Sequence, residues 1–318
     1  MSNIAILIPC YNEEAAISKV VTDFRRALPQ ALIYVYDNNS SDRTVEFAKA
    51  AGAIVRSEPL QGKGNVVRRM FADIEADIYV LVDGDDTYDA ASAPKMVQAL
   101  QRNSLDMVNG ARVTTIEQAY RPGHRFGNWM LTSMVGWTFG NRFTDMLSGY
   151  RVMSRRYVKS FPALATGFET ETELTVHALE LRMPITEIAT PYKDRPLGSV
   201  SKLNTFRDGF RILWTIAVLV KEERPIQLFS TLAAILAMLA IVFIAPVLFT
   251  FWETGLVPRL PTAVLSTGLM LLSFLSLTCG LILDTVTRGR REMKRMRYLD
   301  IPAEHIKTNE LSALQSVS

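Results

Sequence analysis

Asp83-Gly84-Asp85-Asp86 follows a very apolar run, Ile78-Tyr79-Val80-Leu81-Val82, so several carboxylates crowd the end of one short segment. Like charges that close repel each other unless a cation sits among them. Hard oxygen donors without His or Cys select Mg²⁺ or Mn²⁺, ions usually held by one or two carboxylates plus substrate phosphates. The cluster is therefore a candidate metal site, although a polar turn with an aspartate cap draws on the same residues. A second polar stretch, Asp37-Asn38-Asn39-Ser40-Ser41-Asp42-Arg43, closes the run Leu32–Tyr36. Ser41 or Asp42 suits a helix cap, whereas Asp37 stands where it can accept hydrogen bonds from a base or ribose. Gln61-Gly62-Lys63-Gly64-Asn65 precedes a helical stretch, where main-chain N–H groups and the Lys63 ammonium suit an anion. It is neither a P-loop nor a dinucleotide fingerprint, because the glycine spacing of both is missing. His124, His177 and His305 are scattered, which argues against a zinc site, and Glu169, Glu171 and Glu173 suit the acidic first turn of a helix.

These clusters need a frame, and the chain supplies one. Short β-branched runs at Ile4–Ile8, Leu32–Tyr36, Ala53–Ser57, Ile78–Val82 and Met107–Ala111 alternate with helical stretches at 15–28, 43–51, 64–74 and 93–102. That rhythm predicts an α/β fold with a largely parallel sheet and helices on both faces, whose ligands sit at the carboxyl ends of the strands. The polar clusters fall at those ends. Farther on come an aromatic-rich stretch at 123–143, the segment Ser148-Gly149-Tyr150-Arg151, a helix over 171–182, a strand over 185–190 and a Pro/Gly/Ser loop over 191–202. Trp129 and Trp137 suit either a core or a lipid path.

No charged residue stands between Arg224 and Glu253, nor between Arg259 and Asp284. Each run exceeds the roughly 20 apolar residues that cross a bilayer. Joined by a short connector, they predict a transmembrane hairpin, preceded by an amphipathic helix over 204–222 that suits either the membrane surface or a core. The expected division is a catalytic domain 1–203, a juxtamembrane helix 204–224, two spanning helices 225–287 and a basic tail 288–318. Arg288, Arg290, Arg291, Lys294, Arg295 and Arg297 follow the hairpin, so the catalytic domain and both termini are expected on the cytoplasmic side of the cell (inner) membrane. The net charge of +3 divides into +1 over 1–224, 0 over 225–283 and +2 over 284–318, which argues against a nucleic-acid binder. Two cysteines, Cys10 and Cys279, form no disulfide framework and suit a reducing compartment. Hairpin helices that meet only lipid would favour self-association into a homo-oligomer.

Together, Ile8-Pro9-Cys10-Tyr11-Asn12-Glu13-Glu14, Asp37 with Asp42, Gly62-Lys63-Gly64, Asp83-x-Asp85, Ser148-Gly149-Tyr150-Arg151 and Arg195…Gly198-Ser199…Ser201-Lys202 resemble a family 2 glycosyltransferase of the GT-A fold. Within that family the chain is similar to polyprenyl-phosphate glycosyltransferases, relatives of dolichol-phosphate mannosyltransferase, over about residues 4–222. The two-helix tail resembles bacterial members that glucosylate undecaprenyl phosphate (bactoprenol). The resemblance implies that Pro9, Tyr11, Glu13 and Asp37 hold the nucleoside of a nucleotide-sugar, that Lys63 lies close to the nucleotide, that Asp83 touches the donor and that Asp85 binds the metal. Family members often carry Gln where this chain has Thr87, so Asp86 or water would take the place of the third metal ligand. Asp145 occupies a position that members use near the reaction centre, implying a positioning or weak-base role.

A lipid phosphate carries between one and two negative charges at neutral pH, so it needs charge neutralisation and alignment more than a strong base. Arg151, Arg195, Ser199, Ser201 and Lys202 are the groups expected to supply this, just before the amphipathic helix. The activity implied is inverting transfer of a sugar, glucose from UDP-glucose by overall build, to polyprenyl phosphate. GDP-mannose or another UDP-sugar would serve the same chemistry. A non-catalytic membrane adaptor retaining the fold is the rival from another class, and a processive synthase is disfavoured because no Q/R-x-x-R-W motif occurs.

Overall fold

The computed structural model describes residues 2–113, 143–164, 166–167, 169–195, 218, 221 and 224–302. Strands β1 (Ile4–Cys10), β2 (Leu32–Asp37), β3 (Ile54–Ser57), β4 (Ile78–Leu81), β5 (Met107–Val113), β6 (Arg151–Ser154) and β7 (Ile185–Pro191) form one sheet in the order β3-β2-β1-β4-β6-β5-β7. All neighbours run parallel except β6, which is antiparallel to both β4 and β5. The central strands are buried on both faces, which explains why Ile4–Ile8 and Ile78–Leu81 are unbroken apolar runs.

Helices α1 (Ile17–Ala27), α2 (Thr44–Ala50), α3 (Lys63–Asp73) and α4 (Ala93–Arg102) fall within a residue or two of the expected bounds. On α1, Ile17, Val20, Val21 and Phe24 recur at helical spacing and are buried, packing with Met96, Val97 and Leu100 of α4 against Ile4, Ile6, Ile8 and Val80. The alternate strand residues point to the opposite face, where Phe71 of α3 lies edge-on to Tyr79 with ring centres 6.3 Å apart. Helix α5 (Arg155–Ser160) leaves β6 directly, capped by the Ser154 hydroxyl, which accepts from the Tyr157 N–H. Helix α6 (Thr170–Glu180) then leads to β7.

Strand β6 was not legible in the sequence. Its four residues begin with a fully buried arginine and lack the two-residue alternation that marks a half-exposed strand.

The chain divides into two compact units, Met1–Gly209 with Lys294–Ser318, and Phe210–Met293. The second holds α7 (Pro225–Thr254) and most of α8 (Leu260–Leu299), both long and apolar enough to cross a membrane. Small residues form their seam: Ala233 and Ala240 on α7, and Ser266, Ser273 and Gly280 on α8, are buried at seven-residue spacing. The Ser273 hydroxyl donates to the Ala233 carbonyl at 2.8 Å and that of Ser276 to the Phe229 carbonyl at 3.0 Å. Helix α8 runs to Leu299, past the boundary near 287 expected from composition, because Arg, Lys and Met sustain a helix as well as Leu does. From Lys294 its residues pack within the first unit. Lys294 pairs with buried Glu180 at 2.7 Å, and the Tyr298 hydroxyl donates to Asp106 at 2.7 Å.

Candidate active site

Every polar cluster singled out in the first half of the chain emerges on the same edge of the sheet, at the carboxyl ends of β1, β2, β3 and β4. A Cβ at Gly84 would stand 2.6 Å from the Cys10 sulfur, so only glycine lets the chain leave β4 beside the end of β1. Asp83 is thereby held over the sheet edge. Its Oδ1 accepts from the Lys63 ammonium at 2.5 Å, and that ammonium also meets Glu171 Oε1 at 2.5 Å. Burial lowers the pKa of Lys63, but the two carboxylates outweigh it and keep the ammonium protonated. On the other side of Asp83 lies Gly149, whose N–H donates to the Tyr88 hydroxyl at 2.8 Å.

Asp85 is 3% exposed. Its Oδ1 accepts from the Thr87 hydroxyl at 2.6 Å and its Oδ2 pairs with the Arg195 guanidinium at 2.7 Å. Burial first, and then the negative charge of Asp83, push its pKa up, with Arg195 offsetting part of the rise. A divalent cation would relieve that repulsion, and two hard carboxylates fit Mg²⁺ or Mn²⁺. Among the described residues no group of three or more His, Cys, Asp or Glu is gathered to hold a metal, so Asp83 and Asp85 are the carboxylates that would hold the ion here. Asp86, the alternative third ligand, carries an ion pair of its own, with Lys19 of α1 at 2.9 Å.

Two loops beside this centre are tied into one wall. The Asn12 carboxamide accepts from the Ser41 N–H, the Asn12 N–H donates to the Ser40 hydroxyl, and the Glu13 N–H donates to the Thr44 hydroxyl. Asp37, nearly buried, accepts from the Ser40 N–H, while Tyr11 stays 38% exposed and Pro9 lies opposite Tyr36 in the sheet. Pro9, Tyr11, Glu13 and Asp37 are thus brought to one surface. Asn38 organises the next loop: its carboxamide donates to the Glu58 and Leu60 carbonyls and accepts from the Gly62 N–H. The sequence reading passed over Asn38, since Asn in a turn is too common to single out.

On the far side, both carboxylate oxygens of Asp145 are held by Arg112, at 2.7 and 2.8 Å. Burial raises its pKa, but the hydrogen bonds and charge of Arg112 more than reverse this, leaving it below the ordinary carboxylate range. Such a group is a poor proton acceptor. Arg151 requires a correction. Expected among the acceptor-phosphate ligands, it is fully buried and its guanidinium donates to the carbonyls of Met146, Ser148 and Glu171, so its donors are spent within the protein. Arg195, expected on the same side, meets Asp85 instead of standing free in its loop. Ser199, Ser201 and Lys202 lie outside the described residues, as do Trp129, Trp137, His124, His305 and nearly all of the 204–222 helix. Glu171 and Arg112 are site residues that sequence reasoning missed. By sequence the first suits a helix-dipole carboxylate, and the second sits at a strand end with no motif around it.

A family model described as glycosyl transferase family 2 matches residues 5–160. Glycosyltransferase AglJ of Haloferax volcanii is 31% identical over 304 residues, covering 93% of this chain and 98% of that protein. The dolichyl-phosphate hexose transferase of the same organism is 28% identical over 223 residues, 70% of this chain and 96% of the relative. A solved structure of glucosyl-3-phosphoglycerate synthase from Mycobacterium tuberculosis, in complex with Mn²⁺ and UDP-glucose, superposes with a TM-score of 0.54 at 23% identity. It covers 69% of this chain and 78% of its own, a likeness of fold.

Proposed function

The chain belongs to glycosyltransferase family 2, with a GT-A fold, and on that premise we propose that it moves a hexose from a nucleotide-sugar to a polyprenyl phosphate at the cytoplasmic face of a membrane. The observation that carries this reading is the meeting of Asp83, Asp85, Lys63 and Arg195 at one sheet edge, in a chain that also carries two membrane-length apolar helices. The likeness to the dolichyl-phosphate hexose transferase supports the lipid acceptor.

The chemistry follows from charge. Pro9, Tyr11, Glu13 and Asp37 form the wall on which the nucleoside rests. The leaving nucleoside diphosphate gains negative charge as the sugar departs, and the protonated Lys63, fixed by Asp83 and Glu171, is placed to stabilise it. Asp83 and Asp85 would hold Mg²⁺ or Mn²⁺, which when bound supplies further neutralisation of the diphosphate. The acceptor phosphate is already an anionic nucleophile, so inversion at the anomeric carbon needs alignment and no strong base. A low-pKa Asp145 clamped by Arg112 fits a positioning role. Arg195, Ser199, Ser201 and Lys202 are the groups proposed to receive the lipid phosphate, and UDP-glucose is the donor proposed, with GDP-mannose or another UDP-sugar as its competitor.

The test is a panel of labelled nucleotide-sugars incubated with the purified chain, undecaprenyl phosphate and Mn²⁺ or Mg²⁺. Transfer from one donor to lipid is expected, and Asp85→Asn should abolish it while the protein stays folded. No transfer from any donor, with intact binding to membranes, would turn the reading toward a non-catalytic adaptor.

A further inference from the structure

We infer that Glu171 is a positioning residue of the donor site, and that its second carboxylate oxygen, Oε2, receives a hydroxyl of the transferred sugar. The inference rests on the transferase reading above and deepens it.

Glu171 is the second residue of α6 and is 6% exposed. Its backbone is fixed from both sides, because its carbonyl accepts from the Arg151 guanidinium at 2.9 Å and from the Thr175 hydroxyl at 3.1 Å. Its Oε1 holds Lys63 at 2.5 Å, and the same ammonium holds Asp83 at 2.5 Å. One nitrogen therefore joins α3, α6 and the end of β4. Remove the glutamate and only Asp83 remains to aim the lysine.

The other oxygen is the telling one. Oε2 is buried and, among the described residues, has no hydrogen-bond partner, and Glu169 Oε2 one turn-start away is in the same state. Buried acceptors are nearly always satisfied, and a charged one left bare costs more than a neutral one. An ionised carboxylate takes only donors. Diphosphate oxygens have none to offer, and the nucleoside belongs to the wall built from Tyr11, Glu13 and Asp37. What remains of a nucleotide-sugar beside Lys63 and Asp83 is the sugar, a neutral ring whose hydroxyls donate. A carboxylate also discriminates among sugars, because a site built to receive a hydroxyl strongly rejects the analogue that lacks it.

The experiment uses the full chain in detergent, with UDP and UDP-glucose as probes, or GDP and GDP-mannose should the donor panel select them. Binding of each is measured by calorimetry for the wild type, Glu171→Ala and Glu171→Gln, and transfer rates are measured with monodeoxy analogues of the donor sugar. In Glu171→Ala the preference for nucleotide-sugar over nucleoside diphosphate should fall about ten-fold, as for loss of one charge-assisted hydrogen bond. The nucleoside diphosphate itself should bind no worse, because Lys63 has lost a competing carboxylate. Glu171→Gln, which keeps an acceptor oxygen, should recover part of the preference. One deoxy analogue should lose at least ten-fold in kcat/KM with the wild type and little further with Glu171→Ala, the signature of a direct pair. Equal loss for every probe, or deoxy penalties unchanged by the substitution, would overturn the inference and leave Oε2 to water. A wild type that transfers from no donor would instead defeat the transferase reading, so the two failures are separable.

Discussion

Gly149→Ala is the sharpest probe of how the centre is assembled. The added Cβ would lie 2.5 Å from Asp83 Oδ2, 2.9 Å from its Cγ and 3.0 Å from Oδ1, so it meets the whole carboxylate. Asp83 cannot simply swing away, since Oδ1 is tied to the buried Lys63. Restoring ordinary contact moves the carboxylate by about 0.9 Å, and misplacing a reacting group by roughly 1 Å costs on the order of 100-fold in rate. Overpacking of this kind costs about 1–3 kcal/mol of stability, a drop of a few degrees in Tm for a domain of this size. Gly149 has no left-handed φ, so the backbone itself tolerates alanine. We therefore expect a folded enzyme whose kcat/KM for sugar transfer is about two orders of magnitude down. Gly289→Ala is the control: nothing lies within 4 Å of its added carbon, and activity should be unchanged. Transfer by Gly149→Ala within three-fold of wild type would refute the idea that Asp83 must sit where it does.

Arg195→Ala removes the cation that shares Asp85, so half-maximal activity should require several-fold less Mn²⁺, while the apparent KM for polyprenyl phosphate rises more than that for the donor. A metal titration that is unchanged by the substitution would separate Arg195 from the metal. His177 is buried against Tyr157 and Phe161, and burial, then the charge of Lys294, lower its pKa from 6.5 to about 3. The unfolded chain therefore binds the extra proton first, so this stability is complete above about pH 6.5 and is lost toward pH 3, by at most about 1.4 kcal/mol per pH unit. In His177→Phe the denaturation midpoint should depend less on pH across that window, and an unchanged slope would count against it. At Gly280 an added Cβ would lie 2.9 Å from Phe229 Cβ, so Gly280→Leu should force α7 and α8 apart and lower the thermal midpoint in detergent. Cross-linking of a Ser273→Cys, Ala233→Cys pair should fall in the same variant, whereas undiminished cross-linking would show that the seam does not depend on small residues.

The fold was legible because its strands are short, apolar and separated by amphipathic stretches whose buried residues fall three and four apart. The β1 and β4 runs needed no partner to be recognised, and neither did Ile17, Val20, Val21 and Phe24 on α1. What resisted was structure defined by contact. Strand β6 exists because β4 and β5 flank it, and its own sequence, Arg-Val-Met-Ser, carries no strand period. The end of α8 is similar: Lys294 and Tyr298 looked like part of a charged tail until Glu180 and Asp106 supplied their partners.

The Ser-Gly-Tyr-Arg segment marks the difference between locating a site and assigning its parts. Its position beside the centre followed from the motif, but the work of each residue is set by burial. Ser148 donates to the Gly110 carbonyl, Gly149 admits the Asp83 carboxylate, Tyr150 meets Phe24 edge-on in the core, and Arg151 is wholly enclosed. Guanidinium donors that never meet solvent must be satisfied internally, and Arg151 spends its own on Met146, Ser148 and Glu171. Those carbonyls lie on both arms that converge on Asp83: the loop that carries Gly149, and the helix start whose Glu171 holds Lys63. An arginine so enclosed can therefore still fix the carboxylate on which the chemistry depends, and a shorter cation with three donors on one nitrogen lacks the planar fork to span the same carbonyls.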